Sequence, residues 1–379
     1  MSVSSKMLYV AKLSRSRGLR HMCSTVLLFF VAASAMARTF DSPIDVPATP
    51  SLLAARAPLI GVTRAGHRIV AVGLRGDIVY SDDEGRTWAQ AKVPVSTDLV
   101  AVSFPDAKRG WAVGHGGVVI HTDDGGATWV KQVDGRRLSE LAVNYYKQML
   151  GDSSSVEVKR AFRDAKALAS DGSSEALLDV FFESEKRGFI VGTFNRIFRT
   201  EDGGKTWIPW MERTGNPDDF HFYSVHGDGE RILLTGEHGM VWKLNRAKGI
   251  FEPRPTPYKG TLFGSLESGN DVVVYGMRGS LFQSSDGCAT WKKVEVPNRA
   301  GITGGVVLAD GAFLLVNQAG IALLSRDGGN SFETVKLARP MSYFGAGGFA
   351  DGNVALVGAD GVVVETVPQF SHSATHSVN

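Results

Sequence analysis

Five aspartates carry the most regular polar chemistry in this chain. Asp83, Asp124, Asp202, Asp286 and Asp327 each stand two residues after a serine or threonine and five before an aromatic, Trp88, Trp129, Trp207, Trp291 and Phe332. The shared pattern is S/T-x-D-x-G-x-T/S-aromatic. A carboxylate and a hydroxyl so placed accept the N–H groups of a tight turn, and glycine takes positive φ cheaply. That chemistry closes a hairpin; it does not transfer a proton. Cationic and imidazole groups form a second set. A G-x-x-G turn starts at Gly73, Gly114, Gly236, Gly276 and Gly358, with variants at Gly192 and Asn317. Its middle residues include Arg75, His115, His238 and Arg278, which could form a cationic rim for an acidic ligand or serve as ordinary solvated turn residues. His115, His121, His221, His226 and His238 are metal-ligand types. His121 lies at the far end of its strand from His115 and no ligand spacing recurs, so neither a metal nor a cofactor is predicted.

The turns fix the elements that position these groups. Their first residues lie at 73, 114, 192, 236, 276, 317 and 358, at intervals of 41, 78, 44, 40, 41 and 41 residues. The interval of 78 is one repeat plus an insertion of 37. In every box repeat the aromatic falls 15 residues after the turn's first residue. Applied to Gly236 the rule lands on Phe251, in a repeat whose box has decayed; applied to Gly358 it lands on Ser373, in a polar tail. A period near 41 with short apolar strands predicts an all-β, seven-bladed propeller of four-stranded antiparallel blades. The propeller is expected over residues 38–369 and the tail over 370–379.

Residues 1–37 read as a secretory leader, with Lys6, Lys12, Arg15, Arg17 and Arg20, an apolar run from Val26 to Ala35, and Ala35-Met36-Ala37 as cleavage site. The run is too short for a transmembrane helix, and the mature chain has no other candidate. This predicts a periplasmic protein. The formal charge of +2 becomes −3 without the leader's five basic residues, so charge gives nucleic-acid binding no support. Cys288 is then the one remaining cysteine, which excludes a disulfide framework and a thiolate metal cluster. The seventh repeat has strands at 342–349, 354–357 and 362–367 and then runs out. The simplest closure is a fourth strand from Phe40 to Val46 pairing with Val362–Val367, which covers an open edge.

The insertion, 136–172, has helical periodicity: Leu138, Leu141, Tyr145 and Met149, then Val158, Ala161, Phe162, Ala165 and Leu168. Gly151 to Ser155 separates two helices, giving a hairpin between blades two and three. In an antiparallel meander the boxes share one face and the G-x-x-G turns share the other with the insertion. Tyr145, Tyr146 and Phe162 add apolar surface there, which must lie down on the ring or meet a partner.

The boxes match the Asp-box, or BNR, repeat of sialidases and other secreted propellers. Together with Gly110-Trp111-Ala112-Val113-Gly114-His115-Gly116-Gly117 and Thr122 to Trp129, the chain resembles the photosystem II stability/assembly-factor family over about 58–367, the insertion excepted. The resemblance implies a non-catalytic propeller in the periplasm or lumen that assists a membrane complex, photosystem II in the family itself and a transporter in a non-photosynthetic host. The alternatives are a sialidase-like glycoside hydrolase and a carbohydrate-binding propeller. A sialidase needs an arginine triad, a Tyr–Glu nucleophile pair and an Asp acid/base. Its entry motif finds only Ala55-Arg56-Ala57-Pro58 here, without the aromatic and the isoleucine.

Overall fold

The computed structural model describes residues 41–152, 155–170, 175–348 and 352–367. Residues 1–42 and 43–379 separate into two units, and the second holds the propeller. The leader over 1–37, Phe40 and the tail over 370–379 lie outside the described residues.

Seven antiparallel sheets succeed one another, each with its strands in chain order; six have four strands and the last has three. The second strands read as continuous apolar runs because neighbouring blades cover both of their faces. Gly110–Gly114, Gly188–Gly192, Ile232–Gly236 and Phe313–Asn317 are buried at every position. The decayed repeat is a blade like the others: Ile250–Pro253 is its fourth strand, and Phe251 is buried.

The first strands, Leu59–Ala65, Leu99–Ser103, Leu177–Phe182, Phe222–Gly227, Leu262–Ser268, Ile302–Val307 and Tyr343–Gly348, surround a central channel. Each skips one residue in its pairing with the second strand. Leu59 pairs with Gly73 and Gly61 with Val72, leaving Ile60 out of register. The same slip leaves out Val100, Leu178, Tyr223, Phe263, Thr303 and Phe344. A bulge re-aims its side chain, and all seven of these residues line the channel at one end.

The expected N-terminal clasp does not form. Pro43–Asp45 is a 3-10 turn, and buried Ile44 joins the core between blades one and two. The Ser96 amide donates to the Pro43 carbonyl at 2.8 Å, and the Ala48 amide to the Val93 carbonyl at 3.1 Å. Pro43 fixes φ and lacks an N–H, so the segment favours a turn over a ladder. Among the described residues, the seventh sheet stops at three strands, Tyr343–Gly348, Asn353–Gly358 and Gly361–Thr366. The ring closes by packing: Leu59, Ile69 and Val79 of blade one share a cluster with Ala355, Val357 and Val362 of blade seven.

The insertion forms α1, Gly135–Asp152, and α2, Val156–Ser170. Its apolar stripe is used on the ring. Leu138, Ala142, Tyr146, Val158, Ala161 and Ala165 join Trp210 and Met211, at the outer margin of blade three, in one buried cluster.

Candidate functional site

The box turns have the geometry of structural clamps. Asp124 Oδ1 accepts the Thr122 hydroxyl at 2.8 Å and the Thr128 amide at 2.9 Å, and Oδ2 accepts the Thr128 hydroxyl at 2.6 Å. Asp83, Asp202, Asp286 and Asp327 repeat the arrangement. The Thr87 hydroxyl, and then its amide, hold Asp83 down at about 2. Trp129 and Trp207 are buried; Trp88, Trp291 and Phe332 are half-buried. Cys288 takes the glycine position of its box at φ 71, is buried, and burial pushes its thiol up to about 11.

Four of the five clamps also reach sideways. The carbonyl at the fourth box position accepts a donor from the preceding blade: Gly125 from Arg68 at 3.2 Å, Gly203 from Gln132 at 2.9 Å, Gly287 from Lys243 at 3.2 Å and Gly328 from Gln283 at 3.4 Å. In blade four, whose box has decayed, the direction reverses, and Arg246 of the turn pairs with Glu183 of blade three at 2.9 Å.

The G-x-x-G turns carry exposed side chains on a fixed backbone. In the first, a Cβ on Gly73 would lie 2.4 Å from the Pro58 carbonyl oxygen, and Gly76, at φ 77, would meet the Val95 carbonyl oxygen at 2.1 Å. Between them Arg75 is left-handed at φ 55, as are His238 at φ 54 and Arg278 at φ 59 in their own turns. Arg75, His115, His238 and Arg278 are all exposed. Asp98 links the first two, accepting the Arg75 amide at 2.8 Å and lying 3.8 Å from His115 Nδ1. His238 stacks on Phe220 at 4.5 Å, and His221 accepts the Phe194 amide at Nδ1, 2.9 Å away. Phe194 and Met277, at the tips of the third and fifth turns, are exposed large apolar residues. His121 stacks on Trp111 instead. The histidines are thus distributed among separate aromatic, backbone and single-carboxylate contacts, and no three metal-ligand groups converge among the described residues.

The hairpin places its aromatics differently from that rim. Tyr146 is fully buried; its hydroxyl donates to Glu212 Oε2 at 2.6 Å and accepts the Met211 amide at 2.9 Å. It anchors α1 on blade three and offers a partner nothing. Tyr145 is half-buried edge-on to Tyr146, and Phe162 is half-buried beneath the Lys166 ammonium at 5.6 Å.

The channel holds a group of polar residues that the repeat pattern did not announce. On the G-x-x-G side a cavity of about 460 Å³ has Tyr223, Phe263 and Phe344 at its mouth and Asp179, His226 and Tyr275 deeper in. His226 Nδ1 bonds to Glu267 Oε2, whose other oxygen accepts the Ser265 hydroxyl at 2.7 Å. Burial opposes the imidazolium, yet the Glu267 charge and hydrogen bond lift His226 to about 9. Burial raises Asp179 to about 6 although the Val225 and Val180 amides donate to it. One sequence signal was available: Asp179 stands where the other first strands carry Gly61, Ala101, Ser224, Gly264, Gly304 and Gly345.

Comparison with known proteins bears on what this propeller resembles. The family model described as "Photosynthesis system II assembly factor YCF48" matches residues 80–148 and 165–248, and the break between them falls inside the hairpin. Over those two segments the chain resembles photosystem II assembly factors. It is 23% identical over 121 residues to the "Photosystem II assembly lipoprotein Ycf48" of Synechococcus sp. (strain CC9902). That stretch spans 30% of this chain and 35% of the relative's length. Among solved structures, "YCF48 bound to D1 peptide" superposes with a TM-score of 0.60 at 16% identity, covering 86% of this chain and 100% of that one. "YCF48 from Cyanidioschyzon merolae" follows at 0.58 and 15% identity, covering 83% and 96%. The WD40 propeller domain of Doa1 also reaches 0.58, at 8% identity and with 85% and 95% covered, so these superpositions speak for the fold alone. Among the described residues no helix is long and apolar enough to cross a membrane.

Proposed function

We propose that this chain is an exported, non-catalytic scaffold that binds a membrane protein complex through its G-x-x-G face and assists the assembly or stability of that complex. The observation that carries the reading is the make-up of that face. Exposed Phe194 and Met277 sit among exposed Arg75, His115, His238 and Arg278. Apolar groups within a partly cationic rim, charged through Arg75 and Arg278, have the composition of a binding surface. The two arginines steer and orient an encounter while the apolar groups supply affinity. The family resemblance supports an assembly role, and the D1 peptide bound to one similar protein supports a membrane-protein partner. The partner is photosystem II in a photosynthetic host, reached from the lumen, and a transporter-type complex elsewhere, reached from the periplasm.

A photo-cross-linking residue placed at 75 or 278, and at Lys205 on the box face as control, tests the docking in membranes of the source cell. The first two positions should label a membrane protein that the third does not. Identical labelling from both faces would overturn the assignment. The sialidase-like alternative predicts turnover of fluorogenic sialosides. The scaffold reading predicts none, and Arg64 is the one guanidinium among the described residues lining the channel.

A further inference from the structure

The seven-fold repeat supplies an internal baseline, and two departures from it meet in one chamber. Where Asp179 stands, the six other first strands carry glycine, alanine or serine. Tyr275 is the second departure. The residues in register with it are Val72, Val113, Val191, Thr235, Val316 and Val357. Its phenol reaches the channel because its cross-strand neighbour is Gly264, where a Cβ would lie 2.5 Å from the hydroxyl. Tyr275 is 6% exposed and its side chain lines the 460 Å³ cavity. Among the described residues no protein group hydrogen-bonds its hydroxyl, which opens onto the chamber and is left free to pair with whatever enters it.

Charge identifies what would satisfy it. Glu267 is already paired with His226 and Ser265. Asp179 receives only neutral donors, the Val225 and Val180 amides at 2.8 Å each. The imidazole near it, His226, is already bonded to Glu267, so two carboxylates share one cation and the chamber keeps a net negative charge. Above it lie the rings of Tyr223 and Phe263, 5.6 Å apart, and Phe344. Aromatic faces attract cations, and an apolar mouth accepts the stem that carries one.

We propose that the channel binds a primary ammonium carried on an apolar stem, its head between the Asp179 carboxylate and the Tyr275 hydroxyl and its stem among Tyr223, Phe263 and Phe344. The cavity volume lies in the range of small-molecule sites, about 300–1,000 Å³. The ammonium is either that of a free amine or that of a lysine side chain on a partner. This site stands independently of the docking surface, because its test requires no membrane.

The experiment is a calorimetric and NMR titration of the whole chain with phenethylammonium, with 3-phenylpropionate as the matched anion. The cation should bind at least tenfold tighter than the anion. Asp179→Asn should weaken it at least tenfold, and Tyr275→Phe, which deletes a single oxygen, about three- to tenfold. Should the aspartate variant fail to fold, the phenylalanine variant decides. A second arm compares a lysine hexapeptide with its Nε-acetylated form. Preference for the unmodified peptide over phenethylammonium assigns a partner's lysine, and the reverse order assigns a free amine. Cation and anion binding alike, or a Tyr275→Phe variant that binds the cation as the wild type does, overturns the proposal.

Discussion

The most exacting test of the hairpin's placement is Tyr146→Phe. The phenol is fully buried, and its oxygen bridges the Met211 amide at 2.9 Å and Glu212 Oε2 at 2.6 Å. Removing the hydroxyl keeps the ring and its packing, but it strands a buried amide and takes a donor from a carboxylate. An unsatisfied buried group costs about 1–3 kcal/mol, and a hydrogen bond to a charged group contributes about 1.5–3 kcal/mol. Together the two losses, which share one oxygen, come to about 2–4 kcal/mol. The cost should fall on undocking of α1 and α2 from blade three, since neither partner contacts the far side of the ring. Hydrogen exchange under opening-limited equilibrium conditions reads this directly. At a tenfold change per 1.4 kcal/mol, amides of α1 should exchange roughly thirty to a thousand times faster, while those of blades five to seven stay as they were. Exchange within threefold of the wild type in α1 would show that the phenol is not the anchor. Equal acceleration around the whole ring would show that the hairpin is no separate unit.

Two further outcomes are expected. Asp124→Ala removes the acceptor of the Thr128 amide and of two hydroxyls; because these lie near the surface and water can replace it, urea denaturation should show a loss of about 1–2 kcal/mol. His226 is raised from the ordinary value of 6.5 to about 9 in the fold, so its pairing with Glu267 contributes stability that is complete below pH 6.5 and lost as the pH rises through 9. The imidazole has 41% of its surface open to the channel, and that contact with water reduces the contribution. Denaturation midpoints of the wild type should therefore fall over that window relative to His226→Gln, with Asp179, Asp228 and Glu267 as the other ionisable groups close to the imidazole.

Spacing alone carried the architecture a long way. The fifteen-residue rule found Phe251 in a turn that had lost its aspartate, and the structure buries that side chain in the fourth strand of an ordinary blade. It succeeded because a blade must fill the same volume whether or not its turn keeps its hydrogen bonds. The closure was misread for the opposite reason. An open strand edge announces that it needs covering but not what covers it, and Pro43 with Ile44 folds into a turn on blades one and two. Periodicity likewise exposed the stripe holding Tyr146 without revealing the surface beneath, since an amphipathic helix reads alike against a ring or a partner. Asp179 escaped notice, and His226 was weighed only as a metal-ligand type, because a single acid or imidazole within a short apolar strand has no periodicity of its own. Aligning the first strands on their G-x-x-G turns makes both stand out.

The sideways clamps bear on the order in which the molecule can be built. In four blades the donor comes earlier in the chain than the box it holds, by 57 residues for Arg68 and Gly125, 71 for Gln132 and Gly203, 44 for Lys243 and Gly287, and 45 for Gln283 and Gly328. In blade four the acceptor Glu183 is likewise made before Arg246. Synthesis runs from the N-terminus, so each of these blades finds its locking partner already in place when it emerges. Growth is a ratchet that adds joints in one direction. The final joint, between blades seven and one, is of another kind: Val364 packs against Gly85 of the first box, and the apolar cluster of Leu59 and Val357 does the rest. It joins the first and the last blade, the largest sequence separation between neighbouring blades, and such long-range contacts are slow to form. Closure of that seam is therefore expected to come late in folding, and hydrogen exchange should find the amides of blades one and seven the first to open.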